Sequence, residues 1–170
     1  DIINEGIVLF DTDNLKFAKP RELSAEEKKE KAQRYFDTWF PQAESFVKGC
    51  KFFIKEKALN IAAFNLHQAA ESLYYEILLV FTDYKPKIHN LWKLRKKAKP
   101  FSEELFLIFR AETDKHEDYL FDLLKRGYID ARYREDYMIT EIELKTLVER
   151  VTQMITIVEK VCNIKINEID

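Results

Sequence analysis

Residues 64–81, Phe-Asn-Leu-His-Gln-Ala-Ala-Glu-Ser-Leu-Tyr-Tyr-Glu-Ile-Leu-Leu-Val-Phe, are apolar on nearly every side when wound as an α-helix. A helix of that kind is stable only with neighbours all round it, so the stretch is the expected axis of a helical bundle. Ala62, Leu66, Ala69, Leu73, Ile77 and Val80 form one seam, widened by Ala63, Ala70, Tyr74 and Phe81. A narrow polar stripe of Asn60, His67, Gln68, Glu71 and Tyr75 runs beside it. Unpartnered buried polar groups cost about 1 to 3 kcal/mol each, so the stripe predicts either a satisfied internal network or a site. His67 and Glu71 stand four apart and can pair along the helix.

The rest of the composition agrees with helices. Only three glycines and four prolines occur in 170 residues, of which 46% are hydrophobic, enough for one all-α domain with a substantial core. No run of eighteen apolar residues and no leader-like start is seen, so a cytoplasmic protein without a membrane partner is expected. Cys50 and Cys162 fall on apolar seams and read as reduced core residues. No histidine, cysteine or carboxylate set has metal spacing, no glycine-rich phosphate loop or nucleophile elbow occurs, and no cofactor is expected.

In chain order, Ile2 to Asp11 is a short β-branched run that cannot form a sheet alone; residues 1–22 read as an extended segment and linker ahead of a bundle over 23–165. It is read as the last strand of an upstream domain, the alternative being an edge strand paired with Asn163 to Ile169. Ser24-Ala25-Glu26-Glu27 is a capping box that starts the first long helix, whose seam continues past Pro41 with a kink expected near Asp37 to Pro41. After the axis helix, a short basic helix carries Lys85, Lys87, Lys93, Arg95, Lys96, Lys97 and Lys99 with no acidic residue among them. This run either attracts an anionic partner or is a solvated face balancing Glu112, Asp114, Glu117, Asp118 and Asp122. A fourth main helix is expected from Ser102 to a C-cap at Gly127, with Leu105, Phe109, His116 and Leu120 on one side. Tyr128 to Glu135 follows, and a second capping box, Thr140 to Glu143, opens the last helix. Four main helices and one short basic helix, up and down, make the bundle.

Three segments resemble the signatures of the HEPN domain: His67-Gln68-Ala69-Ala70-Glu71, Lys87-Ile88-His89-Asn90-Leu91, and Tyr128-Ile129-Asp130-Ala131-Arg132-Tyr133. The resemblance spans roughly residues 26 to 162. It implies a helical bundle that commonly dimerises and often lies beside or downstream of a minimal nucleotidyltransferase domain, whose terminal strand Gly6 to Phe10 is similar to. On that reading the transferase carboxylates lie outside this chain.

The resemblance also implies two kinds of function. Ribonuclease members, toxin-like among them, carry an arginine and, four to six residues on, a histidine. Arg110 to His116 matches that spacing, yet on a continuous helix the two side chains point about 120° apart. His116 reads better as a core or interface residue and Arg110 as a surface ion-pair former. After Arg132 and Arg134, where the family's arginine more naturally falls, no histidine follows to serve as a base. Members with the three segments above have been proposed to bind nucleotides. Here Lys87, His89, Arg132 and Arg134 supply positive charge for a nucleotide or other phosphate ligand, and Tyr128 or Tyr133 a stacking face. The competing reading has Tyr128 and Arg132 capping carbonyls and bridging to Glu71. A non-catalytic, homodimeric ligand-binding module associated with a nucleotidyltransferase is expected, with RNA cleavage or a pure interaction module as alternatives.

Overall fold

The computed structural model describes residues 21–169, so the run Ile2 to Asp11 and the strand expected there lie outside the described residues. Seven helices occur among those described: α1 (Ala25–Lys55), α2 (Leu59–Thr82), α3 (Leu91–Ala98), α4 (Glu103–Phe106), α5 (Lys115–Arg126), α6 (Asp130–Tyr133) and α7 (Glu141–Asn167). The architecture is an all-α bundle. The three long helices α1, α2 and α7 pack mutually, and α3, α5 and α6 also pack on α2. Every residue from Ala69 to Val80 is buried, as an apolar axis requires.

Local chemistry sets the helix ends. Both capping boxes form: the Ser24 hydroxyl accepts from Glu27 N at 3.2 Å while Glu27 accepts from Ser24 N at 2.9 Å. Thr140 and Glu143 do the same at 3.2 and 2.7 Å. Helix α1 passes Pro41 unbroken, with the Ser45 hydroxyl donating to the Pro41 carbonyl at 2.8 Å. Asp83 ends α2 in a left-handed conformation and accepts from Lys31 and from the Tyr35 hydroxyl, both at 2.5 Å, tying the end of α2 to α1.

The fourth helix expected from Ser102 to Gly127 is not continuous. It splits into α4 and α5, joined by residues 107–114. The cause is Arg95, fully buried on α3, whose guanidinium takes the carbonyls of Phe106 and Phe109 and pairs in a two-pronged fashion with Glu112 at 2.7 and 2.9 Å. Those carbonyls are the acceptors a continuing helix needs. Asp114 then restarts the chain as the N-cap of α5, accepting from His116 N and Glu117 N. The break turns His116 out to solvent instead of into the seam with Phe109 and Leu120. Gly127 does cap α5, but with a right-handed backbone, φ −54°. The glycine is required because a Cβ there sits 2.8 Å from the Ala63 carbonyl of α2. The chain from Asn163 to Asn167 is helical, which removes the alternative of a strand paired with the C-terminal tail.

Both cysteines are buried and unpaired, and burial pushes the Cys50 thiol up to about 12. Glu76 of α2 is the unexpected core residue. It is completely buried, and neither carboxyl oxygen has a hydrogen-bond partner among the described residues. Burial pushes its pKa up to about 9; the Cys162 thiol opposes the shift and the Glu159 charge adds to it.

Candidate functional site

Glu71 is the centre of the polar stripe. Its side chain is 7% exposed, and one oxygen, Oε1, is shared by two histidines. His89, in the connection between α2 and α3, donates from Nδ1 to Glu71 Oε1 at 3.0 Å. His67 lies one turn before Glu71 with Nε2 at 3.6 Å from the same oxygen, too far for a hydrogen bond. The Leu124 carbonyl fixes the other nitrogen: being only an acceptor, it keeps the proton on His67 Nδ1, 3.1 Å away. His67 is therefore tethered to α5 on one side and aimed at Glu71 on the other. The expected pairing of His67 with Glu71 is a close approach without a hydrogen bond, and Gln68 does not join it; Gln68 Oε1 is buried without a partner among the described residues. Tyr75 instead donates its hydroxyl to the Ile88 carbonyl, which holds the approach to His89 in place.

The segment after α5 closes on this centre. The Tyr128 ring lies nearly parallel to both imidazoles, 5.2 Å and 23° from His67 and 4.7 Å and 17° from His89. Arg132, on the one-turn helix α6, donates from Nε to the Tyr128 carbonyl at 2.6 Å. Its guanidinium carbon lies 4.6, 4.8 and 5.0 Å from the rings of Phe64, Tyr128 and Tyr133. The competing reading of this turn is half present: Arg132 does cap a carbonyl, but the expected bridge to Glu71 is not formed, because His89 takes that carboxylate. Among the described residues the terminal nitrogens of Arg132 have no carboxylate partner, so an exposed, planar, ring-supported cation is left beside Tyr128.

An open cleft of about 430 Å³ borders the cluster, lined by His89, Asn90, Lys125, Arg126, Tyr128, Ile129 and Asp130. Within it Arg126 is committed to Asp130 at 2.6 Å, and Lys125 to Asp122 at 2.5 Å. These lining cations are partly neutralised, while His89 offers a half-exposed ring edge. Arg126, Lys125, Asp130 and the supporting Phe64 were not singled out from the sequence. The spacing Asp122, Arg126, Asp130, four residues apart each time, is the signal that finds Arg126 and Asp130.

The other candidates fall elsewhere. Lys87 is exposed two residues before His89. Tyr133 is 74% exposed beside Arg132. Arg134 turns away to Asp136 at 3.7 Å and borders a separate depression formed with Lys57, Ile61 and Met138. Arg110 lies in the 107–114 connection and His116 in the first turn of α5, so the argument from a continuous helix does not apply to them. Both lie near Asp114, whose carboxyl is held below its ordinary value chiefly by the backbone N–H groups of Glu117 and His116. The length of α5, about 18 Å at 1.5 Å per residue, separates them from Tyr128. Arg110 forms no ion pair among the described residues; Glu117 is taken by Arg150 at 2.6 Å.

An axis helix whose buried Glu71 meets His89 of the following connection, with Tyr128 stacked on His67 and His89, defines an all-α bundle with its polar centre on the second helix. The family model described as HEPN domain matches residues 36–161, and the chain belongs to that family. No curated protein matches the chain.

Among the described residues no helix is long and apolar enough to cross a membrane, and no group of three metal-ligating side chains is placed to hold an ion.

Proposed function

We propose that this HEPN bundle is a binding module for a nucleotide or related phosphate ligand, with Tyr128, His89 and Arg132 as its recognition surface. The observation that carries the reading is Arg132, a cation supported by three rings and left without a carboxylate partner among the described residues. A phosphate meets its free donors, and a base meets the exposed edge of the Tyr128 and His89 stack. Lys87 adds charge from the preceding loop. The resemblance stated above adds the setting: a homodimer working beside a nucleotidyltransferase, in cis or in trans. A thermal-shift series with ATP, GTP and their diphosphates tests the binding. At a hundredfold excess over Kd the expected rise in Tm is roughly 5 to 10 °C. The rise disappears in Arg132→Ala with Lys87→Ala, while the unliganded Tm stays close to that of the parent. A shift that survives the double substitution contradicts the assignment.

One observation favours a second reading, metal-independent ribonuclease action. Glu71 backs His89 from its Nδ1 side and leaves Nε2 free to take a proton, an arrangement that Arg110 and His116 do not provide. Under this reading His89→Gln lowers cleavage of single-stranded RNA by about 100-fold or more, and Glu71→Gln lowers it in the same sense. Purified dimeric protein that leaves RNA intact removes the reading.

A further inference from the structure

Where the last turn of α2 meets the start of α1 and the end of α7, an open cavity of about 370 Å³ is left between the three helices. It lies about 20 Å along α2 from His67, at the far end from Tyr128, and shares no lining residue with the cleft there. Much of its wall is apolar: Ala32 of α1, Leu79, Val80 and Phe81 of α2, and Ile169 beyond α7. Three lysines complete it, Lys28 and Lys31 on α1 and Lys165 on α7. Lys31 is committed to Asp83 at 2.5 Å, and Tyr35 donates to the same carboxylate. Glu27, the neighbour of Lys28 in sequence, is taken by Arg21 and by the cap of α1. Lys28 and Lys165 therefore have no carboxylate partner among the described residues, and Lys165 Nζ rests 5.9 Å from the centre of the Phe81 ring. Neither the core nor the helix cap accounts for two unpaired cations around an apolar recess.

A recess of a few hundred cubic ångströms, apolar within and reached by a few polar groups, is the usual form of a small-molecule site. We infer that this cavity is a binding site, separate from the Tyr128 cleft, for a monocarboxylate with a short apolar body, of which a medium-chain fatty acid is the simplest example. The carboxylate lies between Lys28 and Lys165, and the body lies against Val80 and Phe81. The complementary charge is a single one. Asp83 stands in the same wall and repels a dianion, and apolar surroundings penalise each further charge, which selects against a phosphate monoester or a nucleotide. The recess has room for one short chain and is too small for the two long chains of a membrane lipid. Bound there, the ligand bridges the start of α1 to the end of α7 through the two lysines.

Calorimetric titration of the full chain with octanoate tests the inference, and a single saturable site per chain is expected. Each buried methylene is worth roughly fourfold in affinity, so butyrate, shorter by four methylenes, binds on the order of 200-fold more weakly. Octylamine, with the same tail and a positive head, shows no saturable binding. Lys28→Gln together with Lys165→Gln weakens octanoate binding by about tenfold, while the unliganded Tm stays close to that of the parent. In the NMR spectrum the methyl signals of Leu79, Val80 and Ile169 move with octanoate, and those of Leu124 and Ile129 near Tyr128 do not. Absence of saturable octanoate binding overturns the inference. So do octanoate binding unaltered in the double variant, equal binding of octylamine, and changes centred on the Tyr128 end.

Discussion

Arg95→Met destabilises the bundle by about 3 to 5 kcal/mol and opens the connection between α4 and α5. The guanidinium is fully buried and holds two main-chain carbonyls and the Glu112 carboxylate. It also lies 3.7 Å above the Phe106 ring and within 5.5 Å of Trp92 and Phe121. Methionine fills much of the volume but supplies no donor, so the carbonyls of Phe106 and Phe109 lose their partner. Two main-chain carbonyls left without their donor cost about 1 to 3 kcal/mol each, and the half-exposed Glu112 carboxylate, open to water, adds little. Urea unfolding reads the stability change, and amide exchange over residues 107–114 reads the local opening, expected to exceed that in α1 and α2. A variant within about 1 kcal/mol of the parent, with unchanged protection, shows that Arg95 does not hold the break in place.

The second large effect has the opposite sign and depends on pH. With its carboxyl pushed up to about 9, Glu76 stays protonated in the folded protein at neutral pH, whereas in the unfolded chain it ionises near its ordinary 4.5. Between those values the folded state holds a proton that the unfolded state releases, so stability falls as pH rises from about 4.5 towards 9 and then levels off. The slope is about 1.4 kcal/mol per pH unit for one group, which accumulates to about 4 kcal/mol by pH 7 to 8. Glu76→Gln keeps the shape and has no proton to lose. The variant therefore stays within about 1 kcal/mol of the parent at pH 4.5 to 5 and exceeds it by about 4 to 5 kcal/mol at pH 8. Denaturant unfolding of both proteins at the two pH values decides it. Parallel pH dependences assign the slope to other groups.

These two residues also mark where the sequence stops being legible. The axis helix, both capping boxes and the path of α1 through Pro41 follow from periodicity and local hydrogen bonding, which a sequence states directly. Glu76 sits one residue beyond the polar stripe, among apolar neighbours, and nothing in its local pattern tells a buried carboxyl from one at the edge of the seam. Arg95 looked like one of seven equivalent cations in a basic run. Only the fold separates it, by burying it against two carbonyls, and that burial is what breaks the fourth helix. The break in turn changed the places of Arg110 and His116.

The candidate site was readable to a similar depth. Spacing alone placed His67 beside Glu71, and the three segments that resemble HEPN signatures named His89, Tyr128 and Arg132. What spacing could not supply was the pairing of His89, rather than Arg132, with Glu71. That choice depends on how the loop before α3 lies on α2, fixed by the Tyr75 hydroxyl and the Ile88 carbonyl. Arg132 is left exposed as a result, and the functional proposal rests on that difference.

An NMR titration of the protein with GTP, following the imidazole signals of His67 and His89, the Tyr128 ring and the Arg132 side chain, addresses the site directly. The account predicts saturable changes centred on His89, Tyr128 and Arg132, smaller ones at the buried His67, and none at His116 on the far end of α5. Changes centred on His116 and Arg110, or no saturable change at the Tyr128 cluster, contradict it.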